Sequence, residues 1–117
     1  MDLLEFREYC LSFEGVTEKT PFGKFAKRYE SMLAFYVAGH IFCLTDIDDF
    51  TYVNIRTTPE QAGELLDSYS DVTKPINQSL RYWVQIELGG DVPEEIILRL
   101  VRESYDIVKV RYSKANK

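Results

Sequence analysis

The chain opens with apolar residues at Leu3, Phe6, Cys10 and Phe13, and Leu4 and Leu11 widen the stripe. This three-to-four spacing predicts an amphipathic helix with Asp2, Glu5 and Glu8 on its outer side. Acids in a first turn suit the helix dipole, and Gly15 can take the left-handed conformation that ends the helix. Thr17–Gly23 reads as a loop punctuated by Pro21 and Gly23. The pattern then changes to strands. Met32–Val37 and Ile41–Asp46 are β-rich runs rejoined across Ala38-Gly39-His40, a hairpin signal. Tyr52–Arg56 alternates, with Val53 and Ile55 on one face and Tyr52, Asn54 and Arg56 on the other. A weaker strand pattern covers Lys24–Tyr29.

A second helix is announced by Thr58, Pro59 and Gln61: an N-cap, a proline at the first helical position and, three residues on from the cap, its capping-box partner. Ala62, Leu65, Leu66 and Tyr69 form its inner stripe, and Asp71–Pro75 breaks the chain. The cleanest alternation follows, with Leu80, Tyr82, Val84, Ile86 and Leu88 opposed to Arg81, Trp83, Gln85 and Glu87. Gly89-Gly90 ends that strand, and Asp91 with Glu94 reads as a capping box around Pro93. The last helix is predicted from about Pro93 to Tyr112, with Ile97, Leu100, Val101, Ser104, Ile107 and Val108 inward. Strands joined by tight hairpins are antiparallel, and three amphipathic helices can cover one face of their sheet. The expected fold is α+β: a two-layer sandwich, an antiparallel sheet covered by helices, in the order α-β-β-β-(β)-α-β-α.

With 117 residues, 45% hydrophobic and 28% charged, the chain reads as one domain over 1–117. The formal charge of −5 argues against a strongly basic nucleic-acid binder, but it hides an asymmetry. Residues 1–73 carry 6 Lys and Arg against 13 Asp and Glu, whereas residues 74–117 carry 8 against 6. From Ile107 onward Lys109, Arg111, Lys114 and Lys117 meet no acid. Cys10 and Cys43 read as free buried thiols, because Asp2, Glu5, Arg7 and Glu8 interrupt any early secretory run. No stretch approaches the roughly 20 apolar residues of a membrane span. A soluble cytoplasmic protein, monomeric and without a cofactor, is the expectation.

Several pieces of the sequence belong together: Phe13-Glu14-Gly15-Val16-Thr17-Glu18 with Pro21-Phe22-Gly23, the hairpin Val37–Leu44, and the Asp46–Asp49 turn. Val53-Asn54-Ile55, Arg81-Tyr82-Trp83, and the closing run from Gly90-Asp91-Val92-Pro93-Glu94-Glu95 through Glu103-Ser104-Tyr105 complete the set. In this order they resemble the MmcQ/YjbR-like proteins. The resemblance implies a compact α+β fold related to the frataxin-like CyaY proteins, and a proposed DNA-binding role based on a double-wing arrangement of strands. It brings no accepted catalytic site. Where the family commonly carries a His, Asn and Lys series ahead of the Trp, this chain has Asn77, Ser79 and Leu80, with Tyr82 directly before Trp83.

The residues proposed to contact DNA or a protein partner are Arg81, Trp83, Lys109, Arg111 and Lys114. Trp83 falls on the face of Arg81 and Gln85, where an indole beside a guanidinium can stack a base or anchor a partner. The opposing reading is a Trp covered by a loop or helix end that only packs. The cations at the end of the last helix can contact phosphates, or serve the helix dipole locally. Asp46, Asp48 and Asp49 read as a strand-ending turn, since Phe50 and Thr51 stand where a calcium loop needs its next ligands. Asp2, Glu5 and Glu8 are sparse for an iron-binding ridge. His40 is the only histidine, and neither cysteine has the surroundings of an activated thiolate. These features point to a non-enzymatic binding module, either for DNA or for a protein partner.

Overall fold

The structure is a computed structural model, and it describes residues 1–21, 27, 30–75 and 82–113. Three helices and six strands follow in the order α1 (Leu3–Leu11), β1 (Thr17–Lys19), β2 (Met32–Val37), β3 (His40–Asp46), β4 (Tyr52–Arg56), α2 (Pro59–Ser68), β5 (Val72–Thr73), β6 (Trp83–Glu87) and α3 (Glu94–Ser113). The strands form one antiparallel sheet in the order β1-β2-β3-β4-β6-β5. The α+β architecture expected from the hydrophobic pattern is therefore the observed one. Two strands were not foreseen. Thr17–Lys19, expected as loop, pairs with β2 at one edge, and Val72–Thr73, read as a chain break, pairs with β6 at the other. Both are too short to show periodicity, and short edge strands with charges such as Glu18 and Lys19 are what protects a sheet from pairing with strangers. The expected strand at Lys24–Tyr29 and the Leu80–Arg81 start of the last strand fall outside the described residues, apart from Lys27.

All three helices pack on one face of the sheet. Phe6, Cys10 and Phe13 from the α1 segment, Ala62 and Leu65 from α2, and Ile97, Leu100, Val101, Tyr105 and Val108 from α3 meet Phe35, Cys43, Ile55, Val84 and Ile86. Leu4 lies outside this core and is exposed, and Ile107 is only half-buried. Tyr105 takes the inward position instead. Its ring lies 4.9 Å from that of Phe13 and 5.5 Å from that of Phe42, and its hydroxyl donates to the Glu14 carbonyl at 2.6 Å. A buried tyrosine of this kind contributes apolar area while its one polar atom is satisfied.

The caps follow the sequence in part. Asp2 and Glu5 form a full capping box on α1. Thr58 caps α2 by accepting from the Gln61 N–H, but the Gln61 side chain leaves the cap and donates to Glu103 Oε2 of α3 at 2.8 Å. The Asp91 carboxylate binds Ser70 N–H at 2.8 Å, Ser70 Oγ at 3.0 Å and Asp71 N–H at 3.1 Å, and in return Asp91 N–H donates to Asp71 Oδ2. Asp91 thus clasps the loop before β5, rather than making the capping box expected of it, because that loop offers more unsatisfied donors at once.

Ser104 joins the layers at the centre. The β3–β4 ladder pairs Leu44 with Asn54 and Cys43 with Ile55, and the next pair in that register would be Phe42 with Arg56. A bulge in the β2–β3 ladder skips Phe42, and Ser104 fills the gap: its fully buried hydroxyl donates to the Phe42 carbonyl at 2.6 Å and accepts from the Arg56 N–H at 2.9 Å. One side chain of α3 therefore completes the sheet and fixes where the helix crosses it.

The β2–β3 hairpin closes through Ala38 and Gly39, both at positive φ (+53° and +77°), with Val37 paired to His40. Such two-residue turns match strand twist, but an alanine in the left-handed region is strained by roughly 1–2 kcal/mol. Ala38→Asn, which tolerates that conformation, is expected to raise stability by about 1 kcal/mol. A thermal melt checks this, since that gain corresponds to about 4 °C in a domain of this size. A melting point at or below the parent's would contradict the strain.

Candidate functional site

The sheet face turned away from the helices carries a row of Lys19, Ala34, Leu44, Asn54, Gln85 and Thr73, as the strand registers dictate. Trp83 lies on this face, as its alternation with Val84 and Ile86 requires, but it is not open to solvent. It is 9% exposed and packs in a second apolar cluster with Ala34 and Leu44, flanked by Met32, Tyr36 and Ile41. The exposed indole that would stack a base is thus corrected: the ring is spent on packing. Asn54 on the same face is also buried, and its Oδ1 has no hydrogen-bond partner among the described residues.

Among the other residues singled out by sequence, Lys109 and Arg111 sit in the last turns of α3, on the helical layer and not on the Trp83 face. Lys109 lies 3.9 Å from Glu14 and 5.5 Å from the Tyr105 ring centre, so its charge is partly answered within the fold. Its pKa is raised, mainly by the hydrogen bond with Tyr105. Arg81 and Lys114 lie outside the described residues. The five-residue set is therefore not brought together as one patch by what is described. The Asp46–Asp49 segment is a turn, in which Asp46 Oδ1 accepts from the N–H groups of Asp48 at 2.9 Å and Asp49 at 3.2 Å. Among the described residues no group of three or more His, Cys, Asp or Glu is placed to hold a metal.

A different constellation forms where α3 passes the end of β4. Tyr112, two turns beyond Ser104, stacks face to face on His40, with ring centres 3.4 Å apart and planes at 12°. Arg56, whose backbone Ser104 holds, turns its guanidinium to the Tyr112 hydroxyl at 3.4 Å, and its buried Nε has no partner among the described residues. Arg111 lies over the Tyr112 ring, 5.7 Å from its centre. The phenol titrates below the usual tyrosine range. The Arg56 hydrogen bond is the chief cause, opposed by burial and reinforced by Arg111. Arg56 meets the Tyr112 hydroxyl and Arg111 lies over its ring, and neither guanidinium forms an ion pair with a carboxylate among the described residues. Four other cations have a carboxylate partner: Arg7 has Glu18, Arg99 has Glu103, Arg102 has Asp106 and Lys109 has Glu14. Sequence reasoning found Arg111 here but missed Arg56, His40 and Tyr112. Their meeting depends on the angle at which α3 crosses the sheet, for which the chain offers no local signal.

The cysteines offer no nucleophile. Cys10 and Cys43 are free, as expected, and both are fully buried; burial, with Cys10 as hydrogen-bonded neighbour, pushes the Cys43 thiol well up. A thiolate needs the opposite surroundings. No helix among the described residues is long and apolar enough to cross a membrane.

Together these features define an all-antiparallel α+β domain with a cationic, aromatic corner at the end of its last helix. The YjbR family profile matches residues 11–107, and the chain belongs to the YjbR family. Solved structures agree. A Deinococcus radiodurans protein with a DUF419 domain is similar at 25% identity and a TM-score of 0.80, over 91% of this chain and 77% of that one. A Pseudomonas syringae protein is similar in its crystal structure at 16% identity and a TM-score of 0.71, over 92% of this chain and 99% of that one. The likeness extends to a solution structure from Pseudomonas syringae, at 16% identity and a TM-score of 0.68, over 92% and 93% of the two chains. No functionally curated protein matches the chain.

The corner carries a direct spectroscopic test. In an ultraviolet pH titration, the difference between the parent and Tyr112→Phe isolates the Tyr112 ionisation. It is expected below the usual tyrosine value, and Arg56→Gln is expected to move it upward by removing the larger stabiliser of the phenolate. A Tyr112 step at or above the usual value would show that the guanidinium groups do not face the phenol in solution.

Proposed function

We propose that this YjbR-family chain is a non-enzymatic binding module that holds the DNA backbone with the cationic end of α3. The observation that carries this reading is that Arg56 and Arg111 both meet Tyr112 with no carboxylate partner among the described residues, whereas Arg7, Arg99, Arg102 and Lys109 each have one. Like charges held side by side are costly until an anion arrives, and a phosphate backbone presents such anions in series. Lys109 stands two residues from Arg111, and Lys114 extends the same cationic stretch in sequence, while Arg81 belongs to the segment of Trp83. With Trp83 packed, the contact works through charge rather than through an intercalated or stacked indole. The sealed thiols and the His40 ring engaged by Tyr112 favour binding over covalent or acid–base chemistry.

One observation favours a protein partner instead. Val110, between Lys109 and Arg111, is 54% exposed, and apolar surface there serves a protein contact better than a phosphate contact. The two readings part in salt. Fluorescence anisotropy of a labelled duplex, measured at two ionic strengths, is expected to show binding that weakens steeply as salt rises. Arg111→Gln is expected to weaken binding to all sequences alike and to reduce the salt slope by about 1. Absence of binding at low salt up to high DNA concentration would overturn the DNA reading.

A further inference from the structure

We infer that Arg56, Arg111 and the Tyr112 hydroxyl form a seat for a terminal phosphate, a phosphate monoester dianion, and that His40 fixes its floor. The inference deepens the reading above by naming the phosphate the corner prefers, and it rests on that reading only for the claim that DNA supplies it.

Each guanidinium offers five N–H donors in a planar fork. In Arg56, among the described residues, one terminal nitrogen reaches Tyr112 through a long 3.4 Å contact and Nε has no acceptor. Arg111 contributes a second fork, exposed at the last turn of α3. The phenol hydroxyl between them can turn its proton to a third oxygen. A carboxylate has two oxygens and satisfies one fork, and an internal phosphodiester carries a single charge on two free oxygens. A terminal phosphate carries close to two charges near neutral pH and three acceptor oxygens, which suits two forks and a hydroxyl.

The seat stands on rigid parts. The Arg56 backbone is tied to α3 through Ser104, and Arg56 pairs with Trp83 across the β4–β6 ladder. The Tyr112 ring is held by its stack on His40, the first residue of β3 after the tight Ala38-Gly39 turn. The Arg56 backbone and the Tyr112 ring are therefore set before a ligand arrives, which lowers the ordering cost of binding. Bringing two cations together on an acidic protein, at a place with no acidic partner among the described residues, has no evident value for stability.

The test titrates inorganic phosphate into the labelled protein while following backbone and side-chain NMR signals, with acetate at equal ionic strength as the control. Phosphate is expected to shift the Tyr112, Arg111 and Arg56 signals saturably, and acetate to leave them in place. Arg56→Gln and Arg111→Gln are each expected to weaken phosphate about tenfold, in line with the loss of one charge-assisted contact. Arg111 is exposed at a helix end, so its variant keeps the fold even if the Arg56 variant does not. A second arm compares one oligonucleotide with a 5′-phosphate and with a 5′-hydroxyl; at least tenfold tighter binding of the former assigns the phosphate to a DNA end. Saturable phosphate binding with no oligonucleotide binding would remove the DNA reading and leave the seat standing as a site for a small phosphate ester. Oligonucleotide binding indifferent to the terminal phosphate, with phosphate acting no differently from acetate, would overturn the seat and leave the DNA reading standing.

Discussion

The Ser104 hydroxyl occupies the place of a missing strand pair, accepting the Arg56 N–H and donating to the Phe42 carbonyl inside the molecule. Three features of the fold depend on that bridge. It satisfies two backbone groups that end a ladder beneath a helix, where no water reaches a fully buried hydroxyl and an unmade hydrogen bond is costly. It fixes the height of α3 against β3 and β4, which determines that Tyr105 rather than Ile107 enters the aromatic core. It also sets the start of the path to the corner: Tyr112 lies eight residues on, about 12 Å along the helix axis. There Tyr112 meets the guanidinium of the same Arg56 whose backbone Ser104 holds.

The two faces of the sheet divide the labour differently from what alternation alone suggests. The helical face holds the main core, and the other face is not a free platform, since Trp83, Ala34 and Leu44 form an apolar cluster of their own. Charge, not aromatic surface, is therefore what the domain presents at the end of α3. On the proposed reading, an acidic protein whose Arg56 and Arg111 meet no carboxylate among the described residues suits a short anionic contact rather than a long polyanionic groove, because its overall field repels the rest of the polymer.

Much of the architecture could be read from spacing. The alternation of Val84 and Ile86 against Trp83 and Gln85 assigned the right faces, and the Thr58-Pro59 start of α2 and the Ala38-Gly39 turn fell where backbone chemistry requires them. The edge strands were illegible because two or three residues cannot display a period. Asp91 misled because an aspartate before a helix and an aspartate clasping a distant loop look alike until the loop is placed. For the site, alternation gave the side on which Trp83 lies but not what covers it. Arg111 was visible as a helix-end cation, whereas Arg56 read as one outward residue of a strand. Its role comes from a tertiary crossing that brings residues 56, 40 and 112 together across long stretches of sequence.

Ser104→Ala tests the central linkage most directly, with stability and the Tyr112 ionisation read on the same protein. If the hydroxyl both completes the sheet and places Arg56, the substitution lowers unfolding free energy by about 2–4 kcal/mol. The Tyr112 ionisation, read before the protein unfolds, should then rise toward the ordinary tyrosine value. A variant of undiminished stability whose Tyr112 still ionises as in the parent would contradict the account.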